Sequence, residues 1–289
     1  MDIAPIFTFA KLTVREASRR KLLIALVGLT LLVIVGTSFL MSRLWTVSGP
    51  NGRPPSVVEV RLIASQLLIL IAFMFAAVLA LSSVMVAAPS LSADVESGLV
   101  LSMLSRPVRR ADLVIGKWLG LAFLVVLYAA GAGSLELFGV YLTTGYLPPH
   151  PVELLAYVAG EGLILLTLAL LLSTRLPGMT GGIIGLVAYF IAWVGGILGG
   201  VGLAIGNDAL RHTGTVIGLL IPTDQLWRGA VFSMEPASFL AAARAAGRLT
   251  AGNPFLVSDP PAFAFLAWTV VWVLGLLALT IWSFRTREV

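Results

Sequence analysis

Six long apolar stretches, separated by shorter polar ones, dominate the 289-residue sequence. Crossing the hydrocarbon core of a bilayer as a helix takes about 20 residues, and each stretch reaches that length. The pattern predicts an all-α polytopic membrane protein, with residues 1–289 forming one transmembrane domain. The predicted spans cover residues 22–42, 62–88, 118–144, 152–174, 179–206 and 261–284.

The composition supports a chain that lies mostly in lipid. It is 58% hydrophobic and only 11% charged, whereas a soluble domain has about a quarter of its residues charged. Cysteine is absent, which excludes disulfides and thiolate metal sites, and no metal site is predicted. The net charge of +5 is interpreted as contact with anionic membrane lipid, and not as nucleic-acid binding.

The distribution of charge predicts the orientation. An even number of spans returns both termini to one side, and twelve of the 19 lysine and arginine residues then fall on that side. Because cytoplasmic loops carry the excess of positive charge, we expect both termini in the cytoplasm. Residues 5–20 mix apolar and basic positions, which predicts an interfacial helix before the first span. A plain extension of that span is the alternative.

The densest polar signal is the link between the second and third spans, residues 96–118, ESGLVLSMLSRPVRRADLVIGKW. Ser97-Gly98 and Arg106-Pro107 punctuate it, which predicts a short helix over residues 98–105, a turn, and a helix entering the membrane. The short helix is apolar but cannot span, so it needs a surface such as a groove on a soluble partner. A basic loop that only fixes topology is the alternative. The basic residues expected to meet phospholipid or carboxylates at the membrane edge are Arg109, Arg110 and Lys117.

The pair Gly116-Lys117 does not form a phosphate loop. The motif G-x-x-x-x-G-K-[ST] would need glycine in place of Ala111 and serine or threonine in place of Trp118. The sequence therefore shows no nucleotide cradle. If ATP is used, another subunit binds it.

With this link and its six spans, the chain resembles the type-2 ABC transporter permeases, the membrane subunits of ABC exporters. The link in that family commonly reads E-x-G-T-[LI]-x-x-L-L-[ST]-x-P-[VI]-x-R-x-x-[LIV]-x-x-G-K. The departures here are Leu99 for threonine, Val100 for leucine or isoleucine, and Met103 for leucine, and none alters the spacing. Residues 221–236, IPTDQLWRGAVFSMEP, also resemble the family's stretch before its last span. The matching link positions are Glu96, Gly98, Leu104, Ser105, Pro107, Val108, Arg110, Leu113, Gly116 and Lys117.

The resemblance implies a non-catalytic permease in a prokaryotic inner membrane, paired with a second copy or a similar permease. Two P-loop ATPase subunits would hold ATP and magnesium, and this chain would hold no cofactor. The link, as a cytoplasmic coupling helix, would rest on the ATPase. The residues implied in that coupling are Asp94, Glu96, Gly98, Leu101, Leu104, Arg106, Pro107, Arg109, Arg110 and Lys117.

Two glutamates lie well within predicted spans. Glu136 and Glu161 each lie twelve residues from the Pro148-Pro149 turn, which predicts similar depths in a helix hairpin. A carboxylate at mid-bilayer costs about 2.5–3.5 kcal/mol on insertion scales, so each should face the bundle interior or a cavity. They could form a polar patch on the export path. Alternatively, each is a protonated carboxyl bonded to a neighbour, such as Ser134 or Thr167.

The fifth predicted span is rich in glycine with G-x-x-x-G spacing, which lets helix backbones approach closely. This spacing predicts either a permease–permease seam or packing within the chain. In the resembled family the first, second and fifth spans meet at the dimer, which favours the seam. The seam residues would be Gly181, Gly185, Gly195 and Gly199.

Residues 207–259 form a predicted outer segment before the last span. Thr215–Ile221 is too short to span but long enough to dip into the bilayer. Ser233 is predicted to cap a helix that has Pro236 in its first turn, lies on the outer membrane surface and closes the exit. A solvated loop helix is the alternative.

Three classes of membrane protein are compared as explanations of these features. The leading hypothesis is the permease of an ATP-driven exporter. The alternative is a secondary transporter or channel that uses Glu136 and Glu161 without an ATPase, which leaves the link unexplained. An intramembrane enzyme is disfavoured because both histidines, His150 and His212, fall in outer loops and no H-E-x-x-H or G-x-S-x-G occurs.

Overall fold

The computed structural model describes residues 4–18, 21–47, 52–96 and 109–287. This part of the chain is all-helical and contains no strand. Short 3-10 helices cover Arg43–Thr46 and Gly247–Thr250. The ten described α-helices are α1 Ala4–Ser18, α2 Lys21–Ser42, α3 Val57–Glu96, α4 Arg110–Thr144, α5 Pro151–Leu172, α6 Gly178–Ile205, α7 Asp208–Leu220, α8 Asp224–Met234, α9 Ala237–Ala246 and α10 Phe263–Arg285.

Six of these helices are long and apolar enough to cross a membrane: α2, α3, α4, α5, α6 and α10. The predicted all-α fold with six spans is confirmed. Two spans are much longer than their predicted ranges, since α3 has 40 residues and α4 has 35. At 1.5 Å per residue they measure about 60 and about 50 Å, against a hydrocarbon core of about 30 Å. Both helices are therefore longer than the hydrocarbon core is thick.

Both ends of the chain meet at the start of α4. The first helix, α1, packs there against two glycines. A Cβ added to Gly116 would lie 2.5 Å from Cβ of Phe9, and one added to Gly120 would lie 2.7 Å from the carbonyl oxygen of Ala10. The end of α10 lies beside the same turn, because Arg110 bonds its last carbonyls. We call this side of the molecule the terminal side and the other the opposite side.

The core is built around α5, the most enclosed of the six spans. It contacts α3, α4, α6, α8 and α10. The least enclosed spans are α2 and α10, which lie at the periphery. Their outward residues are large and apolar, for example Leu32 and Val270. A bilayer would cover such faces at no cost.

On the opposite side, α7 and α8 form a hairpin that dips towards the middle of the bundle. α7 runs back along α6, so that Gly214 lies against Gly199, and Ile217 against Gly195. Gly195 is ten residues from Ile205, the end of α6, which is about 15 Å of helix. α8 then returns along α5 to the surface. This geometry agrees with the predicted dip of residues 215–221.

The C-terminal end of α7 is completed by tryptophans of the last span. The last carbonyls of a helix have no partner within it, and hydrocarbon offers none. Trp268 Nε1 donates to the carbonyl of Leu219 at 3.0 Å, and Trp272 Nε1 to that of Leu220 at 2.9 Å. α10 thereby fixes the depth at which α7 ends.

The predicted cap of the surface helix is wrong. Ser233 lies inside α8, where its hydroxyl donates to the carbonyl of Gly229 at 2.8 Å. The surface helix is α9, which begins at Ala237 after Pro236 and has no side-chain cap. α8 continues to Met234 along α5, so Ser233 belongs to this preceding helix and does not cap α9.

Candidate functional site

The predicted coupling link is held by the ends of α3 and α4. Lys117, on the second turn of α4, contacts the carboxylate of Asp94 and donates to the carbonyl of Ser90, both on α3. Lys117 is 6% exposed, so its charge is directed into the chain. The expectation that Lys117 meets a carboxylate is met within the chain, and the residue braces the two helices beside the link.

Arg109 and Arg110 differ in surroundings although they are adjacent. Arg109 is exposed and precedes the first residue of α4 in an extended conformation. Arg110 Nη1 donates to the carbonyls of Phe284 at 3.2 Å, Arg285 at 3.3 Å and Arg287 at 2.7 Å. Guanidinium groups suit such helix ends because they offer several donors and complement the negative end of the helix dipole. Arg110 therefore holds the last span, whereas Arg109 is available to a partner.

The loop after α5 is joined to the same helix end. Arg175 donates to the Thr286 hydroxyl at 2.8 Å and to the Ser283 hydroxyl at 3.2 Å. Arg287 donates in return to the carbonyl of Thr174 at 2.7 Å. The ends of α3 and α10, the start of α4 and the loop after α5 thus form one bonded layer on the terminal side. We call this layer the terminal brace.

The remaining predicted coupling residues fall around the link itself. Glu96 is the last residue of α3 and is exposed. Glu96 and Arg109 bound the link, and both stand next to the terminal brace. The predicted residues that lie outside the described part of the chain are Gly98, Leu101, Leu104, Arg106 and Pro107.

The two intramembrane glutamates lie in different interfaces. Glu136, on α4, is 8% exposed and accepts a hydrogen bond from the Thr37 hydroxyl of α2 at 2.8 Å. Glu136 is thus bonded to a neighbouring hydroxyl, but the partner is Thr37 and not Ser134 or Thr167. Thr167 instead accepts from Trp118 Nε1 at 2.9 Å. Glu136 therefore joins a peripheral span to the bundle.

Glu161 belongs to a polar cluster on the other side of the bundle. It is 1% exposed and lies within electrostatic range of Asp224 and Tyr189. Asp224 accepts from Arg228 Nε at 2.9 Å, and Arg228 also donates to the Gly196 carbonyl at 3.2 Å. Among the described residues, Oε1 of Glu161 and Oδ1 of Asp224 have no hydrogen-bond partner. The predicted single patch of Glu136 with Glu161 is therefore replaced by a patch of Glu161 with Asp224.

A cavity of about 640 Å³ lies above this cluster on the opposite side. The glycines of α6 and α7 form one wall, because they have no side chains to fill it. Asp224 and Arg228 line it, and Arg244 pairs with Asp259 at 3.5 Å in its lining. The hydropathy pattern does not predict this cavity. The available signal was the coincidence of a glycine-rich span with arginines and aspartates in residues 208–259. The charged lining residues are Arg211, Asp224, Arg228, Arg244, Arg248 and Asp259.

A further buried carboxyl group, that of Glu235, lies where α8 meets the opposite surface. Glu235 is fully buried next to Tyr146, whose hydroxyl donates to the carbonyl of Met234. Burial raises the pKa of Glu235 to about 7, although the backbone N–H of Val257 partly opposes the shift. Burial and the nearby Glu235 also raise the pKa of Tyr146. Glu235 can therefore change its charge near neutral pH.

The four predicted seam glycines face helices of their own chain. A Cβ on Gly185 would lie 2.8 Å from Val84, and one on Gly195 would lie 2.4 Å from Ile217. Gly199 faces Gly214 at 3.3 Å, and Gly181 faces Leu172 at 3.5 Å. These contacts follow the intrachain alternative. A dimer seam on α6 would have to use its other, apolar face.

These observations define a class, the polytopic helical membrane proteins, here with a braced polar layer on one side and a charged cavity on the other. A comparison with curated proteins finds no match. The family model "ABC-2 family transporter protein" matches residues 16–289. The chain belongs to the ABC-2 family of transporter proteins and is a membrane transport component of that family. Its membrane-spanning helices and its family make it a multi-pass membrane protein.

Proposed function

We propose that this chain is the permease subunit of an ATP-driven exporter in a prokaryotic plasma membrane. The observation that carries the proposal is the terminal brace. α3 and α4 are longer than the hydrocarbon core is thick, and the contact between Lys117 and Asp94 joins their ends on either side of residues 97–108. In this proposal, a push on that segment reaches the spans through the joined helix ends.

In this proposal the terminal side faces the cytoplasm and meets a separate P-loop ATPase, which holds ATP and magnesium. The permease itself catalyses nothing, and a second copy or a similar permease completes the translocation path. ATP can shift the spans only by its different affinity for the two states of the ATPase pair, transmitted through the docking contact. Glu96 and Arg109, both exposed next to the link, are the described residues best placed for that contact.

The test is affinity isolation of the tagged chain from its native membrane, followed by measurement of ATP hydrolysis. We expect a P-loop ATPase to co-purify, and Arg109→Glu to reduce its recovery. Arg248→Glu is the matched control, because Arg248 is exposed on the opposite side. Hydrolysis by the isolated chain, or equal recovery with both variants, would contradict the proposal.

The alternative of a secondary transporter using Glu136 and Glu161 has less support. Glu136 is bonded to Thr37, and the two glutamates face different neighbours. Glu161 with Asp224 could still contribute polarity to an export path, since both lie beneath the cavity on the opposite side. This role is compatible with an ATP-driven permease and requires no separate mechanism.

A further inference from the structure

A second cavity lies on the terminal-side half of the bundle, between α2, α3 and α4, with α5 at its floor. Its volume is about 530 Å³, within the range of about 300–1,000 Å³ that small-molecule sites occupy. Almost all of its lining is apolar. Its floor is buried and includes Leu79, Val125 and Leu166, whereas Val27 and Leu31 at its rim are about half exposed. It is therefore a crevice that opens sideways from the bundle.

The crevice exists because α2 packs against α4 and stands away from α3. Two bonds fix α2 in this position: Thr30 with the Tyr128 hydroxyl, and Thr37 with Glu136. The crevice follows α2 from Leu26 to Ile34, about 12 Å of helix at 1.5 Å per residue. Most of this length lies in the first half of α2 and so within the terminal-side leaflet.

Water is a poor occupant of this space. A buried water needs two to four polar partners, and most hydroxyls of the wall are already engaged. Thr30 donates to the carbonyl of Leu26 or shares its bond with Tyr128, and Ser83 donates to the carbonyl of Leu79. An unfilled apolar void forfeits dispersion contacts with every wall. An acyl chain from the adjoining leaflet needs no polar partners, and it restores the dispersion contacts with the walls.

The charge at the terminal-side end of the crevice indicates which lipid supplies the hydrocarbon. Ser18, the last residue of α1, lines that end. Arg15 lies one turn before Ser18, Lys11 one turn before Arg15, and both are exposed. Exposed basic residues at a membrane surface attract anionic headgroups. Glu16, also exposed, is the acidic residue nearest to them along α1.

We propose that the crevice is a binding site for one acyl chain of an anionic phospholipid from the terminal-side leaflet. The chain lies between α2 and α3 over the floor of α4 and α5, and the headgroup lies at Ser18 and Arg15. The site wedges α2 in its position away from α3. It stands independently of the transport role proposed above.

Photo-crosslinking tests the site with the full-length chain in nanodiscs. The probes are phosphatidylglycerol and phosphatidylcholine, each with a diazirine in its acyl chain, and crosslinked peptides are mapped by mass spectrometry. We expect crosslinks at residues 26–34 and 121–135 to exceed those at the equally apolar surface of α10, and phosphatidylglycerol to exceed phosphatidylcholine. Arg15→Gln should remove the preference for phosphatidylglycerol. Equal labelling by the two lipids would overturn the headgroup assignment.

A cavity-filling variant gives the decisive comparison. Ala132→Phe places a ring in the crevice, whereas Leu274→Phe changes an exposed position on α10. Each displaced methylene carries a factor of roughly four in affinity, so displacing two methylenes should lower labelling of the crevice about fifteenfold in Ala132→Phe only. Ser82→Phe, on the α3 wall, repeats the test if Ala132→Phe does not fold. Unchanged labelling in a folded filled variant would overturn the site. Crosslinks to a second copy at these residues, with loss of the dimer on filling, would assign the crevice to a permease contact.

Discussion

The terminal and opposite sides of the molecule treat buried charge differently. On the terminal side, Lys117 meets Asp94, and Arg110 bonds helix-end carbonyls, so cations are saturated by partners within the chain. Across the bundle, Oε1 of Glu161 and Oδ1 of Asp224 lack a hydrogen-bond partner among the described residues. Unpartnered buried polar groups are costly and uncommon. The terminal side is therefore a braced layer, whereas the opposite side contains buried polar groups without a hydrogen-bond partner among the described residues.

The largest expected effect is a loss of stability on the terminal side. Lys117→Met removes the ion pair with Asp94 and the bond to the Ser90 carbonyl, and losing one partner of a buried pair costs about 3–5 kcal/mol. We expect the low end, because the Asp94 side chain keeps 14% exposure. Thermal unfolding in detergent measures the loss. Lys11→Met, at an exposed position of α1, should change stability by less than about 0.5 kcal/mol. If adding Asp94→Asn recovers nothing, the ion pair is not the cause.

The next effect separates two adjacent arginines. Arg110→Ala removes the donors from three carbonyls at the end of α10, and hydrogen bonds involving a charged group contribute about 1.5–3 kcal/mol each. We expect a loss of about 2 kcal/mol, since water replaces part of these bonds. Arg109→Ala, at an exposed position, should be close to neutral in the same unfolding assay. Equal losses in the two variants would remove Arg110 from the terminal brace.

The third prediction concerns the packing of the opposite side. A Cβ at Gly214 would lie 2.4 Å from Cα of Gly199, whereas one at Gly218, a turn later on α7, meets nothing within 4 Å. Gly214→Ala should therefore cost about 1–3 kcal/mol by overpacking, while Gly218→Ala should gain up to about 1 kcal/mol from helix propensity. Circular-dichroism melting distinguishes them. A neutral Gly214→Ala would mean that α7 does not pack against α6.

The smallest effect is a pH dependence of the opposite side. The pKa of Glu235 is raised by burial from 4.5 to about 7, so the folded state binds its proton more tightly than the unfolded state. The resulting stability is full below pH 4.5 and is lost as pH rises through about 7. We expect the melting temperature to fall by about 2–4 °C between pH 6 and 8, equivalent to about 1 kcal/mol. Glu235→Gln should flatten this dependence, and an unchanged slope would exclude Glu235 as its source.

Hydropathy predicted the six spans because crossing lipid requires long apolar helices, whatever their partners. It did not predict the full length of α3, since residues 89–96 are mostly small or polar yet continue the helix through Pro89. The G-x-x-x-G spacing in α6 indicated close packing but carries no information on the partner, which proved to be α3 and α7.

The polar sites were harder to predict than the spans. Glu136 and Glu161 were visible as charges in apolar runs, but their partners Thr37 and Asp224 are distant in sequence. Asp224 lies in a segment that hydropathy assigns to the outer surface, so only the α7–α8 hairpin reveals its burial. The link motif was identified by its resemblance to a family pattern, and most of it lies outside the described residues. The burial of Lys117 could not be predicted, because it depends on how α3 and α4 meet.

The exposed position beside the terminal brace gives the most direct test of the proposal that force reaches the spans through the link. The chain has no cysteine, so Arg109→Cys creates a single site for a membrane-impermeant thiol reagent. We predict that the reagent labels the Arg109→Cys site only when it reaches the cytoplasmic face, and that a bound ATPase protects this site from the reagent. Labelling of intact cells from outside, or labelling unaffected by the ATPase, would contradict the proposal.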